Sequence, residues 1–206
     1  NFALETETRH NMAKKHQLTT SDHLQYDEYQ RLLERLHEDK EYVFELYARL
    51  AFCTALRASD VLNLRWKDII GQTSCTVTEQ KTGKTRQIPF NSSVRVKFGY
   101  LYHNLGCPDK NEFIFKSNTT GKPLTIQYIN QRLKVFKFKY RLSIDNFSTH
   151  TFRKTFGRYV YDTNEHSAES LLLLNKILNH SNIDVTKRYI GITKEEINQV
   201  FDSIQF

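Results

Sequence analysis

An α+β fold, mostly helical with a small antiparallel sheet (three strands or so) near the N-terminal third, is what the patterning of this chain predicts. Apolar residues recur at helical spacing up to about residue 64 and again from about residue 94. Between these blocks the pattern changes to strict alternation around a Gly-containing turn. Only seven Gly and three Pro interrupt the 206 residues, so long elements are free to form.

Residues 1–24 mix both signs of charge without sustained periodicity and read as a linker or arm before a domain at 25–206. A helix is expected from about Tyr26 to His37, with Leu32, Leu33 and Leu36 on one face. A second runs from about Glu41 to Thr54 through Val43, Leu46, Leu50 and Ala51, and a short amphipathic turn covers Ala58–Leu64. Ser74–Glu79 alternates Cys75 and Val77 with Thr76 and Thr78. KTGKT then supplies a turn around Gly83, and Arg86–Phe90 is extended again with Pro89 near its edge. Helical texture returns over Val94–Leu105, Phe113–Phe115 is a brief buried run, and the chain is helical from Thr125 almost to its end.

With 39% hydrophobic and 26% charged residues, the chain is neither disordered nor collagen-like. Leu171–Leu174, an apolar run of four, is far from crossing a bilayer. Three widely spaced cysteines, Cys53, Cys75 and Cys107, argue against a disulfide framework and for a reducing cytosol. Thirty basic against 23 acidic residues leave a net charge of +7, which makes a polyanion the first partner to consider. Eight scattered His show no zinc-ligand spacing with a general-base Glu, so a metallohydrolase has little support and no metal or cofactor is expected.

Four stretches carry residue types suited to a phosphodiester. In ALRASDVLNL, Arg57 follows a hydrophobic helix, and Asp60 at i+3 is positioned to hold it; a plain surface pair fits equally. In HTFR, His150 and Arg153 sit three apart on a helix, suiting two oxygens of one phosphate, or else His150 caps the helix start. In LNHSNIDVTKRYI, His180 ends an apolar helix and Tyr189 follows nine residues later, with Asp184 as the expected N-cap between them. Position alone does not single out Tyr189 among eleven tyrosines. In Thr125–Leu142, Ile126, Ile129, Leu133, Phe136 and Tyr140 form an apolar stripe. Gln127, Asn130, Gln131, Lys134, Lys137 and Arg141 fall opposite, on either a groove-reading or a merely solvated face.

Taken in order, ALRASD, KTGKTRQIP, HTFR, LNHS and a Tyr nine residues past that His resemble the catalytic domain of the tyrosine recombinases, the phage integrase family, over roughly residues 20–206. The resemblance implies that Arg57 and Arg153 are the family's arginine pair, His150 and His180 its histidines, and Tyr189 its nucleophile. Lys81, eight residues before Pro89, matches the hairpin lysine, with Lys84 the competing choice. It also implies cofactor-free cutting and rejoining of double-stranded DNA through a 3′-phosphotyrosyl intermediate. The two guanidiniums would neutralise the phosphate, His150 would share the phenol proton, and Lys81 would protonate the leaving 5′ oxygen. After the Gly121–Pro123 turn, the helix beginning at Thr125 would face the major groove. The implied DNA contacts are Lys84, Lys122, Gln127, Gln131 and Lys134.

The amphipathic stretch from Thr193 to Ile204 would pass to a neighbouring protomer in a homotetramer on DNA, or pack on its own domain. Family members usually carry a preceding helical clamp, so the chain reads as the catalytic half of a longer protein, in the cytoplasm of a prokaryote, associated with its nucleoid. Two alternatives keep the same chemistry or fold: a type IB topoisomerase relaxing supercoils as a monomer, and a catalytically silent DNA-binding regulator.

Overall fold

The computed structural model describes residues 22–192. Its centre is α2 (Tyr42–Thr54), which is apolar on nearly every side and buries Phe44, Leu46, Tyr47, Ala48, Leu50 and Ala51. α1 (Tyr26–Glu38) lies against it through Leu32, Leu33 and Leu36, the face expected from their spacing, together with Tyr29. Leu24 also enters this core, and its N–H donates to Thr155 Oγ1 at 3.0 Å. α2 ends at Ala55 in the left-handed region (φ 49°), and the chain turns at once into α3 (Ala58–Leu62). A 3₁₀ turn, Trp66–Asp68, then buries Trp66, whose ring packs against that of Tyr102.

The sheet has two strands, β1 (Ser74–Thr78) and β2 (Thr85–Pro89), paired antiparallel from Ser74↔Pro89 to Thr78↔Thr85. The expectation of three strands or so is corrected by one. Phe113–Phe115 makes only isolated contacts, with Phe113 bridging Arg65 and Lys116 bridging Pro123. Neither side can extend into a ladder, because Arg65 leads straight into the 3₁₀ turn and Pro123 has no N–H to donate.

Five further helices carry the rest of the described chain, and α4 and α6 pack on α2. α4 (Ser92–Asn104) starts at an Asn91 side-chain cap, and α5 (Ile126–Lys139) at a Thr125 cap. α6 (Thr149–Thr163) starts at Ser148 in a capping box and packs on α2 with Phe152 wholly buried. α7 (Ala168–Ile177) is capped by Ser167. α8 (Ile183–Ile190) is capped by Asn182, whose side chain accepts the Val185 N–H at 3.0 Å. Asp184, expected as that cap, instead occupies the first turn, where its charge suits the positive helix end. Among the described residues the helical stretch after Thr125 is thus broken into four pieces, with left-handed residues at Arg141, Glu165, His166 and Asn179 in the breaks.

A second, smaller core holds α6, α7 and α8 together. Leu171, Leu174 and Ile190 form it, with Phe156, Val160, Ile183 and Tyr189 around them. Gly157 makes the approach possible, since a Cβ there would lie 2.8 Å from Ile190 Cγ2. No helix among the described residues is long and apolar enough to cross a membrane.

Candidate active site

The turn after α2 delivers the first functional side chain. Arg57 occupies the N-cap position of α3 with an extended backbone (φ −70°, ψ 152°), so its side chain does not stack along the helix. The expected i+3 pairing with Asp60 therefore does not form. Arg57 Nη1 donates to Glu79 Oε2 at 2.5 Å, while Asp60 Oδ1 accepts the Gln80 N–H at 3.0 Å and anchors the start of the hairpin tip.

Glu79 is a junction. Its side chain is fully buried, and Arg86 Nη1 donates to its other oxygen at 2.9 Å. Thr82 Oγ1 (2.9 Å) and Asn179 Nδ2 (3.0 Å) complete the set. Burial pushes this carboxyl up, but the hydrogen bonds from Asn179, Arg86, Thr82 and Arg57 outweigh it and hold the pKa at about 2. Glu79 therefore stays ionised and fixes the direction of Arg57.

α6 supplies His150 and Arg153 one turn apart. Arg153 is 3% exposed and donates from Nη1 to the Ala55 carbonyl and from Nη2 to the Leu178 carbonyl (2.5 Å), tying the end of α2 to the end of α7. His150 is half-buried, and burial lowers its pKa; Arg153, Lys154, Arg57 and Lys81 lower it further. Its ring is thus neutral near pH 7 and free to take a proton.

His180 lies past the end of α7. Burial, followed by Arg153, Arg57 and Lys81, brings its pKa down to about 4. Its Nδ1 is 3.1 Å from Thr186 Oγ1, a buried hydroxyl that accepts from Asn175 Nδ2 at 3.0 Å and so has its own proton to donate to the ring. Its ring meets the Tyr189 ring edge-on, with centroids 4.9 Å apart. The Tyr189 ring is half-exposed, yet its hydroxyl oxygen is buried and makes no well-formed hydrogen bond among the described residues. Both Nη groups of Arg153 are engaged by carbonyls, although its Cζ lies 5.9 Å from the Tyr189 ring centroid. Burial raises the phenol pKa, against the pull of Arg153 and Arg57.

The two hairpin lysines behave differently. Lys84 Nζ donates to Asn179 Oδ1 at 3.0 Å. Lys81, exposed at the tip, is the one whose charge bears on both His150 and His180. Arg57, Lys81, His150, Arg153, His180 and Tyr189, drawn from five separate segments, thus share one electrostatic neighbourhood.

The residues expected to face the groove lie elsewhere. Gln127, Gln131 and Lys134 share an exposed face of α5, and Lys122 is exposed in the turn before it. Ile129, Leu133 and Phe136 are buried as expected, but Val135 and Phe138 stay 50% and 76% exposed, so the outer face is less polar than its amides and cations suggest. Asn130 is not a surface group: its Oδ1 accepts the Thr149 N–H at 2.8 Å, fixing α5 beside the start of α6. Sequence reasoning missed Glu79, Asn179 and Thr186. Only Asn179 left a signal, as a residue type tolerant of the left-handed conformation at the end of an apolar helix.

A profile described as the phage integrase family matches residues 22–196. The chain is 33% identical over 175 residues to the probable integrase/recombinase YoeC of Bacillus subtilis (strain 168), covering 80% of this chain and 90% of that one. It is 28% identical over 152 residues to the probable integrase/recombinase of Acholeplasma phage L2, covering 71% of this chain but only 48% of the phage protein. In fold it is similar to the XerH site-specific recombinase bound to palindromic difH substrate, with a TM-score of 0.69 at 18% identity over 88% of this chain and 52% of that one.

Proposed function

The chain belongs to the phage integrase family, and we propose that it is a tyrosine-type site-specific recombinase that cuts and rejoins double-stranded DNA. The observation that carries the reading is the gathering of Arg57, Arg153 and His180 about Tyr189, whose hydroxyl is held inside the site, with His150 beside the same two arginines.

In the proposed reaction a scissile phosphate enters against Arg57 and Arg153, whose charges stabilise the pentavalent transition state. Tyr189 Oη attacks phosphorus and forms the phosphotyrosyl bond as the bond to the 5′ oxygen breaks. The phenol proton passes to His150, which burial and its cationic neighbours keep neutral beforehand. Lys81 supplies a proton to the departing 5′ oxygen, and His180 donates a hydrogen bond to the phosphate. Ligation is the reverse, with the 5′ hydroxyl as nucleophile, so no external energy source enters. Lys84, Lys122, Gln127, Gln131 and Lys134 are the proposed DNA contacts. The net charge of +7 supports a polyanionic partner.

The finer assembly belongs to the same reading. We place the protein on DNA as a homotetramer in which the amphipathic 193–204 stretch, outside the described residues, is exchanged between protomers. Leu172 and Leu173, 56% and 51% exposed on α7, are an apolar surface suited to such a neighbour. The proposed arm is confined to residues 1–21, outside the described residues, because Asp22 and Leu24 already bond to the domain, and the proposed setting is the cytoplasm of a prokaryote.

The test is covalent trapping. Nicked duplexes covering the DNA either side of the encoding gene are incubated with the protein and then denatured. The expected result is a protein–DNA adduct that survives denaturation and is lost in Tyr189→Phe while DNA binding persists. An adduct of normal yield from Tyr189→Phe overturns the assignment.

A further inference from the structure

Three consecutive residues after α7 reach three different parts of the site. The Leu178 carbonyl accepts from Arg153, and the His180 ring lies against Tyr189 and Thr186. Between them, the Asn179 side chain turns to the β1–β2 hairpin. Its Nδ2 donates to Glu79 Oε2 at 3.0 Å and to Thr82 Oγ1 at 3.1 Å, and its Oδ1 accepts from Lys84 Nζ at 3.0 Å. These partners flank Lys81 on both sides, and they are 95 to 100 residues away in sequence.

The hairpin needs such a tether. A two-stranded ribbon is marginal by itself, and this one projects a tip of exposed residues from 81 to 84. Asn179 also holds a left-handed backbone (φ 50°), one that Asn accepts more readily than most side chains. This conformation lies in the tight turn that directs the amide at the hairpin.

We propose that Asn179 is a positioning residue for leaving-group protonation, latching the Lys81 hairpin to the turn that carries His180. The inference rests on the recombinase reading above and adds a residue to it. Lys84 belongs to the latch, its ammonium occupied by the Asn179 carbonyl oxygen, which leaves Lys81 as the ammonium that faces the leaving oxygen. Asn179 touches neither phosphate nor leaving group. It sets the distance over which the Lys81 proton travels to the 5′ oxygen as the P–O bond breaks.

The experiment uses Asn179→Gly, which keeps the left-handed backbone without strain and removes only the amide. Single-turnover cleavage is measured on a nicked duplex and on its counterpart with sulfur in place of the 5′ bridging oxygen, since a thiolate departs without a proton. The expected result is cleavage slowed by roughly ten- to a hundredfold on the oxygen substrate, the scale of an ~1 Å misplacement, with the wild-type rate on sulfur. Adding Asn179→Gly to Lys81→Ala is expected to slow oxygen cleavage no further. Equal slowing on both substrates, or none on either, overturns the latch. Failure of the wild-type protein to cleave either substrate overturns the recombinase reading instead.

Discussion

The Arg57 guanidinium meets the Glu79 carboxylate at 2.5 Å across 22 residues of sequence, so a catalytic candidate has an anionic partner within the protein itself. That partner is shared with Arg86 and is itself fully buried. The arrangement aims one guanidinium in advance. It also keeps two cations from repelling each other across a small volume.

Glu79→Gln keeps the shape of the junction and removes its charge. We expect a loss of roughly 3 kcal/mol, the low end for breaking a buried ion pair, because both arginines retain some exposure. Equilibrium unfolding in denaturant measures it, and an unchanged midpoint would show that the arginines find other partners.

Stability should fall on mild acidification. His180 titrates at about 4 in the folded protein, against 6.5 for an ordinary histidine. Between those values the unfolded chain binds more protons than the folded one, so stability rises with pH across this window. His150, also lowered, adds to the same slope. Melting temperature followed from pH 4 to pH 7 should climb, and more shallowly in His180→Gln. An identical slope in the variant would mean that His180 titrates normally in the fold.

Gly157→Ala introduces a Cβ 2.8 Å from Ile190 Cγ2, where α6 and α8 approach each other. Ile190 is buried and adjoins Tyr189, so relief requires α8 to move. We expect a cost of about 1–3 kcal/mol, typical of overpacking, together with slower adduct formation at unchanged DNA affinity. A variant of normal activity would show that α8 adjusts freely.

Lys134→Ala tests the α5 face. If Lys134 contacts phosphate, its loss should lower the slope of log affinity against log salt by about 1 and weaken binding to all sequences alike. An unchanged slope removes Lys134 from the interface.

Much of the molecule was legible in the residues because its signals are local. α1 buried the stripe that its spacing marked, α2 and α5 buried most of theirs (Val43 and Tyr140 stay half-buried and Ile126 is 36% exposed), and the alternation at Ser74–Thr78 became a strand. The side chains that organise the site escaped because their partners are remote. Nothing beside Glu79 in the chain announces Arg57, Arg86 and Asn179, and nothing beside Asn130 announces the start of α6. The Arg57–Asp60 pairing illustrates the limit: i+3 spacing implies contact only where the first residue has helical backbone, and Arg57 does not.

The hidden Tyr189 oxygen has a consequence for the cell that carries this protein. Nucleic acid reaching this surface meets the flank of the aromatic ring before the oxygen proposed to attack it. Under the proposed reading, strand cutting is conditional on a movement that uncovers that oxygen.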